Sequence, residues 1–286
     1  MAIPTDYIFT SGTCRKDGIY NLIINTLKAA GWTDVSSLAS SDFVVLKSTG
    51  VNADKNLVIN LRAVNASATN NVTSTQYCQM SYRLVDSYTP GAAGVAGTFG
   101  RSSLAWTDLY IVPGAASCTM AVDAIINYKV YCDAGKLILS LEYPGATGYS
   151  PMVIYIGQVD SSYVSESNSS GMVVAVSATA AVAASVQIDN SADGAGAVSA
   201  PYALATQSLL PSTNPNAANK YAYSDIYFGN ATEGIRGKLD GLLCIKNSNV
   251  LTGDNVIDGT KTYYVLVCQT QGNTSFPSQA LLVRIV

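Results

Sequence analysis

From Leu137 to Asn219 the chain contains neither lysine nor arginine, and none of its 286 residues is histidine. The first absence constrains the fold. Solvated surface is normally rich in Lys and Arg, so a cation-free stretch of this length is expected to be substantially buried. Part of it should lie in its own sheets and part against a neighbouring subunit, with Ser167–Ile188 as the segment that meets another copy or a different protein. The same absence removes the charge needed to grip nucleic acid or an anionic membrane. The second absence removes the side chain that most often does acid–base work near neutral pH and most often binds transition metals.

Charged residues make up only 12% of the chain, about half the usual share of ~25%. Either the surface is neutral-polar or neighbouring subunits cover much of it. The net charge of −3 favours no nucleic-acid partner. The acids are almost all Asp, with Glu only at Glu142, Glu166 and Glu233. Asp suits turns and caps, Glu suits helix interiors, and the bias therefore favours sheets and loops.

The hydrophobic pattern agrees. One segment reads as helix: Ile19, Leu22, Ile23, Leu27 and Ala30 recur at helical spacing, with Arg15, Lys16, Asp17, Asn21 and Lys28 on other faces. Gly31 stops it, and Trp32 follows as a packing anchor. Strands are expected at Phe43–Lys47, Asn56–Val64, Gln76–Leu84, Asp108–Val112, Ala124–Cys132, Lys136–Glu142 and Met152–Ile156. Further strands are expected at Met172–Val176, Ser185–Ile188, Tyr221–Phe228, Leu239–Ile245, Thr262–Thr270 and Ala280–Ile285. Asp133-Ala134-Gly135 should form a three-residue hairpin with Gly near the left-handed position. The fold class is thus mainly β, in β-sandwich-like domains, with one short N-terminal amphipathic helix. A composition change near Gln158–Gly171 divides the chain into an N-terminal β-rich unit, 1–157, and a C-terminal one, 158–286.

Six cysteines stand at Cys14, Cys78, Cys118, Cys132, Cys244 and Cys268, with no CxxC pair. With no histidine to complete a set, structural zinc is not expected. Most of these cysteines lie in apolar strands, there is no signal-peptide pattern at the N-terminus, and all six are expected reduced. Ser167–Ile188 is too rich in Ala, Ser and Thr for a membrane span.

Several constellations invite a chemical reading. The glycine run Pro90–Gly97 lacks the Lys-Ser/Thr of a phosphate loop and reads as a surface loop. Asp189 to Gly194 begins like a calcium loop, with Asp189 and Asp193 as oxygen donors, but Ala200 stands where the closing Glu belongs. Glu142 and Asp160 flank a Tyr/Pro/Gly stretch and are the pair that a carboxylate-based glycan hydrolase would use. Two tyrosine groups, Tyr128/Tyr131 and Tyr221/Tyr223/Tyr227, have near-period-2 spacing, as on a sheet face that meets a partner or a glycan. None of these earns a catalytic, cofactor-binding or metal assignment, and no cofactor is expected.

From its start to about residue 157 the chain resembles structural proteins of tailed bacteriophage virions. The resemblance is carried by the helix ending in Ala30-Gly31-Trp32, the strand Val44–Lys47 leading to Gly50, and the strand around Val58–Arg62. Trp106 before a strand, the hairpin Tyr128–Glu142 and the closing Tyr155-Ile156-Gly157 complete it. These are packing motifs, and they transfer no site residue. The resemblance implies a non-enzymatic virion component of the tail, neck or baseplate, made in the host cytoplasm and built as a symmetric oligomer with other virion proteins. A receptor- or glycan-binding module on the same particle is the alternative, and the hydrolase a more distant one.

Overall fold

The computed structural model describes residues 7–38, 40, 42–73, 77–100, 106–112, 120–145, 149–158, 160, 169, 171–176, 181–187, 199–203, 223–230, 234–246, 250–267 and 279–286. It is mainly β with a single short helix near the N-terminus. Strand β1 (Ile8–Arg15) leads through a 3-10 turn (Lys16–Gly18) into α1 (Ile19–Ala29). The strands β2 (Thr33–Asp34), β3 (Phe43–Ser48), β4 (Leu57–Arg62) and β5 (Gln79–Val85) follow. A small hairpin comes next, β6 (Tyr88–Thr89) with β7 (Thr98–Phe99), and then β8 (Thr107–Tyr110). The middle of the chain supplies β9 (Ile125–Cys132), β10 (Lys136–Glu142), β11 (Met152–Gly157), β12 (Gly171–Val176) and β13 (Ala181–Gln187). The remainder supplies β14 (Ser199–Ala203), β15 (Tyr223–Asn230), β16 (Gly234–Lys246), β17 (Asn255–Asp258), β18 (Lys261–Leu266) and β19 (Gln279–Arg284).

These strands build three large sheets. The middle sheet runs β1-β9-β10-β11-β12-β13, a second runs β2-β3-β4-β5-β8, and a third runs β14-β15-β16-β19-β18-β17. The alternation of side chains shows how they stack. On β10, Leu137, Leu139 and Leu141 join a core with Ile59, Leu61 and Tyr82 of the second sheet and Ile19, Ile23 and Leu27 of α1. Their neighbour Ile138 points the other way, into a core with Phe228, Leu242 and Val283 of the third sheet. On β11 Ile154 and Ile156 take the first side, Val153 and Tyr155 the second. The middle sheet is therefore covered on both faces, which is why its central strands read as unbroken apolar runs instead of alternating ones.

For part of the stretch this accounts for the absence of cations. From Leu137 on, strands β10, β11 and β12 lie within it with their central side chains buried from both faces, and a lysine there would have no water to reach. For β12 the cover comes from the chain itself. Val173 faces α1 and the second sheet, while Met172 and Val174 face the third sheet. The neighbouring subunit invoked for this part of Ser167–Ile188 is not needed. The boundary expected after residue 157 falls between β11 and β12, which pair antiparallel in one sheet from Val153↔Val176 to Gly157↔Met172.

Local expectations fared unevenly. The helix ends as read: Gly31 has φ +97° and Trp32 is buried. Arg15 belongs to β1, however, and Lys16 is not on an outer face but fully buried in the 3-10 turn, where burial lowers its pKa. The hairpin at Asp133–Gly135 is present, but Gly135 is not left-handed. The Asp133 carboxylate closes that turn by accepting from the amides of Gly135 (2.7 Å) and Lys136 (3.0 Å). The expectation of six reduced cysteines is also corrected. Cys14, Cys132 and Cys244 are thiols outside any disulfide, but Cys78 is half of a disulfide whose other half lies outside the described residues. Burial in an apolar strand did not separate the two states, because a half-cystine is as hydrophobic as a thiol. Among the described residues no helix is long and apolar enough to cross a membrane.

Candidate functional site

At one end of the stack all three sheets meet around the β9–β10 turn. Trp32, just past α1, donates its indole N–H to the carbonyl of Asp133 (3.3 Å), and Ser48 of β3 donates to the carbonyl of Ala134. From the third sheet, Asp240 of β16 accepts from Lys136 Nζ at 2.8 Å. Lys136 also lies 3.7 Å from Asp133, whose side chain is 0% exposed, and Lys261 approaches Asp240 at 4.0 Å. The Tyr131 hydroxyl donates to Asp133 (3.1 Å). Its ring stacks on Tyr7 (5.4 Å between centroids) and carries the Arg284 guanidinium at 4.9 Å.

Two glycines permit this convergence. A Cβ on Gly157 (φ +129°) would sit 2.3 Å from the Gly135 carbonyl oxygen, and one on Gly241 (φ +90°) would sit 2.7 Å from Ile138 Cδ1. At Gly157 only glycine allows the two backbones to come this close, and at Gly241 the positive φ itself favours glycine.

The electrostatics are those of a closed network. Burial would raise the Asp240 carboxyl, but Lys136, then Lys261 and Arg284, outweigh it and hold the group below the usual range. Burial pushes the Tyr131 phenol upward, and Asp133 adds to the effect. Asp133 accepts from the Gly135 and Lys136 amides and from the Tyr131 hydroxyl, which pins the turn to β9. The cluster is built to join layers.

The residues singled out from sequence are dispersed. Lys136 pairs with Gly157 and Leu141 with Met152, so Glu142 and Asp160 lie at opposite ends of the β10–β11 ladder. That separation is on the order of 20 Å at ~3.3 Å per residue, and a glycosidase pair needs roughly 5–10 Å. Glu142 accepts from Tyr264 (2.8 Å), and Asp160 exchanges backbone bonds with Lys238 (2.9 and 3.1 Å). In the glycine run, Gly91 N donates to Ser37 Oγ (2.9 Å) and Gly94 N to Ser37 O (3.0 Å), so these amides are not aimed at a phosphate. Tyr128 and Tyr131 take opposite faces of β9, contrary to a shared face. Asp189, Asp193 and Tyr221 lie outside the described residues.

One cleft of about 440 Å³ opens between α1 and β3, lined by Tyr20, Asn21, Asp34, Ser36, Ser37 and Phe43 among others. Its carboxylate is occupied: Asp34 accepts from Ser36 N (3.1 Å), Ser36 Oγ (2.7 Å) and Lys28 Nζ (3.2 Å). No family model matches the chain, and no curated protein matches it.

Proposed function

We propose that the chain is a non-enzymatic building block: a structural protein of a tailed-phage virion that assembles with copies of itself. The observation that carries the assembly reading is the state of the sheet edges. Among the described residues β17 closes the third sheet and β1 closes the middle one, each with one side unpaired. Natural edges are normally blunted by shortness, charge, proline or a bulge, and β17 is short and ends in Asp258. It nonetheless carries Ile257, 74% exposed, close after Leu251, also 74% exposed, and β1 carries the exposed Phe9. A row of free backbone groups beside exposed apolar side chains is a template for strand addition from another chain. The virion reading rests on the resemblance over residues 1–157 and on the low charge. The disulfide at Cys78 removes free thiols from the arguments for cytoplasmic assembly.

Light scattering on the purified 29.9 kDa chain tests the assembly reading. A mass that is a clean multiple of the monomer is expected, with Ile257→Lys reducing it. A monomer at every concentration would contradict the proposal. Mass spectrometry of purified particles from the source host tests the virion reading.

The cleft between α1 and β3 favours a second reading, a glycan-binding module. Its volume lies within the usual range for ligand sites, and the hydroxyl and amide groups of Ser36, Ser37 and Asn21 line it. Saturable shifts of Asn21 and Phe43 resonances on adding oligosaccharides would support that reading.

A further inference from the structure

The face of the second sheet turned away from α1 carries two arginines that make no ion pair among the described residues. Strand alternation places Val45 of β3, Val58, Asn60 and Arg62 of β4, and Arg83 and Val85 of β5 on this one face. Asn60 stands directly opposite Arg83 in the register, and Arg62 is its neighbour two positions on. Both guanidinium groups gather at Trp106, at 3.7 Å for Arg62 and 4.8 Å for Arg83, and Arg83 also lies 4.2 Å from the Phe99 ring.

Arg62 has partners. Its Nε donates to Ser81 Oγ (3.1 Å), and Nη2 donates to the carbonyls of Asn65 and Ala66 (3.0 Å each). The buried Nε of Arg83 meets no acceptor. Asn60 is 0% exposed, yet neither Nδ2 nor Oδ1 has a hydrogen-bond partner. The nearby acid, Asp108, is turned to the Ala66 amide (2.6 Å). Burial lowers the pKa of both arginines, with Arg83 adding to the effect on Arg62 and Asp108 opposing it, whereas on Arg83 burial acts alone. Buried polar groups are ordinarily paired, and adjacent cations of this kind ordinarily share an acid.

We propose that Arg83, Asn60 and Arg62 form a carboxylate-binding site, with Trp106 and Phe99 as its aromatic wall. A carboxylate is planar, fits beside flat rings and guanidinium planes, and accepts from the Arg83 guanidinium while cancelling the excess charge, with the Asn60 amide buried beneath that contact. A phosphate dianion suits the face less well, because most of Arg62's donors are already committed and few spare N–H groups remain for four oxygens. The site does not depend on the assembly reading. Its carboxylate is either a free small acid or an acidic side chain of a second copy, and the test separates these sources.

Tryptophan fluorescence reads the site, since Trp32 is buried against Asp133 and Trp106 is the ring at the arginines. The intact protein is titrated with acetate, with inorganic phosphate, and with chloride at matched ionic strength. Saturation by acetate is expected, weaker or absent with the other two. In Arg83→Met, affinity should fall roughly tenfold or more. In Asn60→Leu it should fall while the circular dichroism spectrum is kept. Light scattering in the same titrations separates the sources. If a second copy supplies the carboxylate, acetate and Arg83→Met both lower the particle mass; if the ligand is free, fluorescence saturates at unchanged mass. No saturable response to acetate, an unchanged response in folded Arg83→Met, or tighter binding of phosphate would overturn the proposal.

Discussion

Two clusters of partly buried charge among the described residues are built on opposite terms. Around the β9–β10 turn, Asp133, Lys136 and Asp240 answer one another, and backbone amides and a phenol donate to Asp133. On the outer face of the second sheet, Arg62 and Arg83 crowd one tryptophan with no ion pair among the described residues, above an asparagine whose amide has no hydrogen-bond partner. A desolvated charge is tolerable when its partners are present and costly when they are not. The first cluster is complete within one chain and serves the stacking of three sheets. The second is incomplete, and what it lacks points outward.

If the turn cluster depends on close backbone approach, Gly157→Ala should have the largest effect. Its Cβ would strike the Gly135 carbonyl at a φ that L-residues avoid. We expect a loss exceeding about 4 kcal/mol, seen as insoluble expression or a collapsed unfolding midpoint.

Acid comes next. Asp240 titrates below its unfolded value, so its contribution is fully present above the ordinary Asp range and is lost as pH falls through the folded pKa. Urea midpoints should be level from neutral pH down to about 5 and then drop, by about 1.5 kcal/mol for this contact. A midpoint that rises on acidification would show that Asp240 is not held as an anion. Trp32→Phe should cost about 1 kcal/mol, since it removes the donor to Asp133 O and leaves that carbonyl buried. On the other face the sign reverses. Asn60→Leu exchanges two unpaired polar atoms for methyl groups and should raise stability by about 1 kcal/mol in the absence of ligand.

The strands of the middle layer were legible because burial on both faces makes them uniformly apolar, as in Leu137–Leu141 and Met152–Ile156. β1 was not. As an edge strand it keeps Thr10, Ser11, Gly12 and Thr13 largely in contact with solvent, and its sequence has no strand-forming run. β17 was missed for the same reason, being four residues long and mostly exposed. The turn cluster was hidden by distance along the chain. Lys136 and Asp240 are 104 positions apart, and nothing local to either foretells the other. Arg62 and Trp106 were visible only as packing motifs, because the register that places Asn60 opposite Arg83 is a tertiary fact.

The central claim is that the turn cluster is self-sufficient and the arginine cluster is not. Urea unfolding of Lys136→Met beside Arg83→Met, without added carboxylate, tests it most directly. Removing Lys136 leaves Asp133 with no cation beside it among the described residues and Asp240 with only the more distant Lys261 and Arg284, and should cost about 3 kcal/mol. Removing Arg83 takes away an uncompensated cation and its ring contacts together, and should change stability by no more than about 1 kcal/mol in either direction. Equal losses in the two variants, or a larger loss in Arg83→Met, would contradict the account.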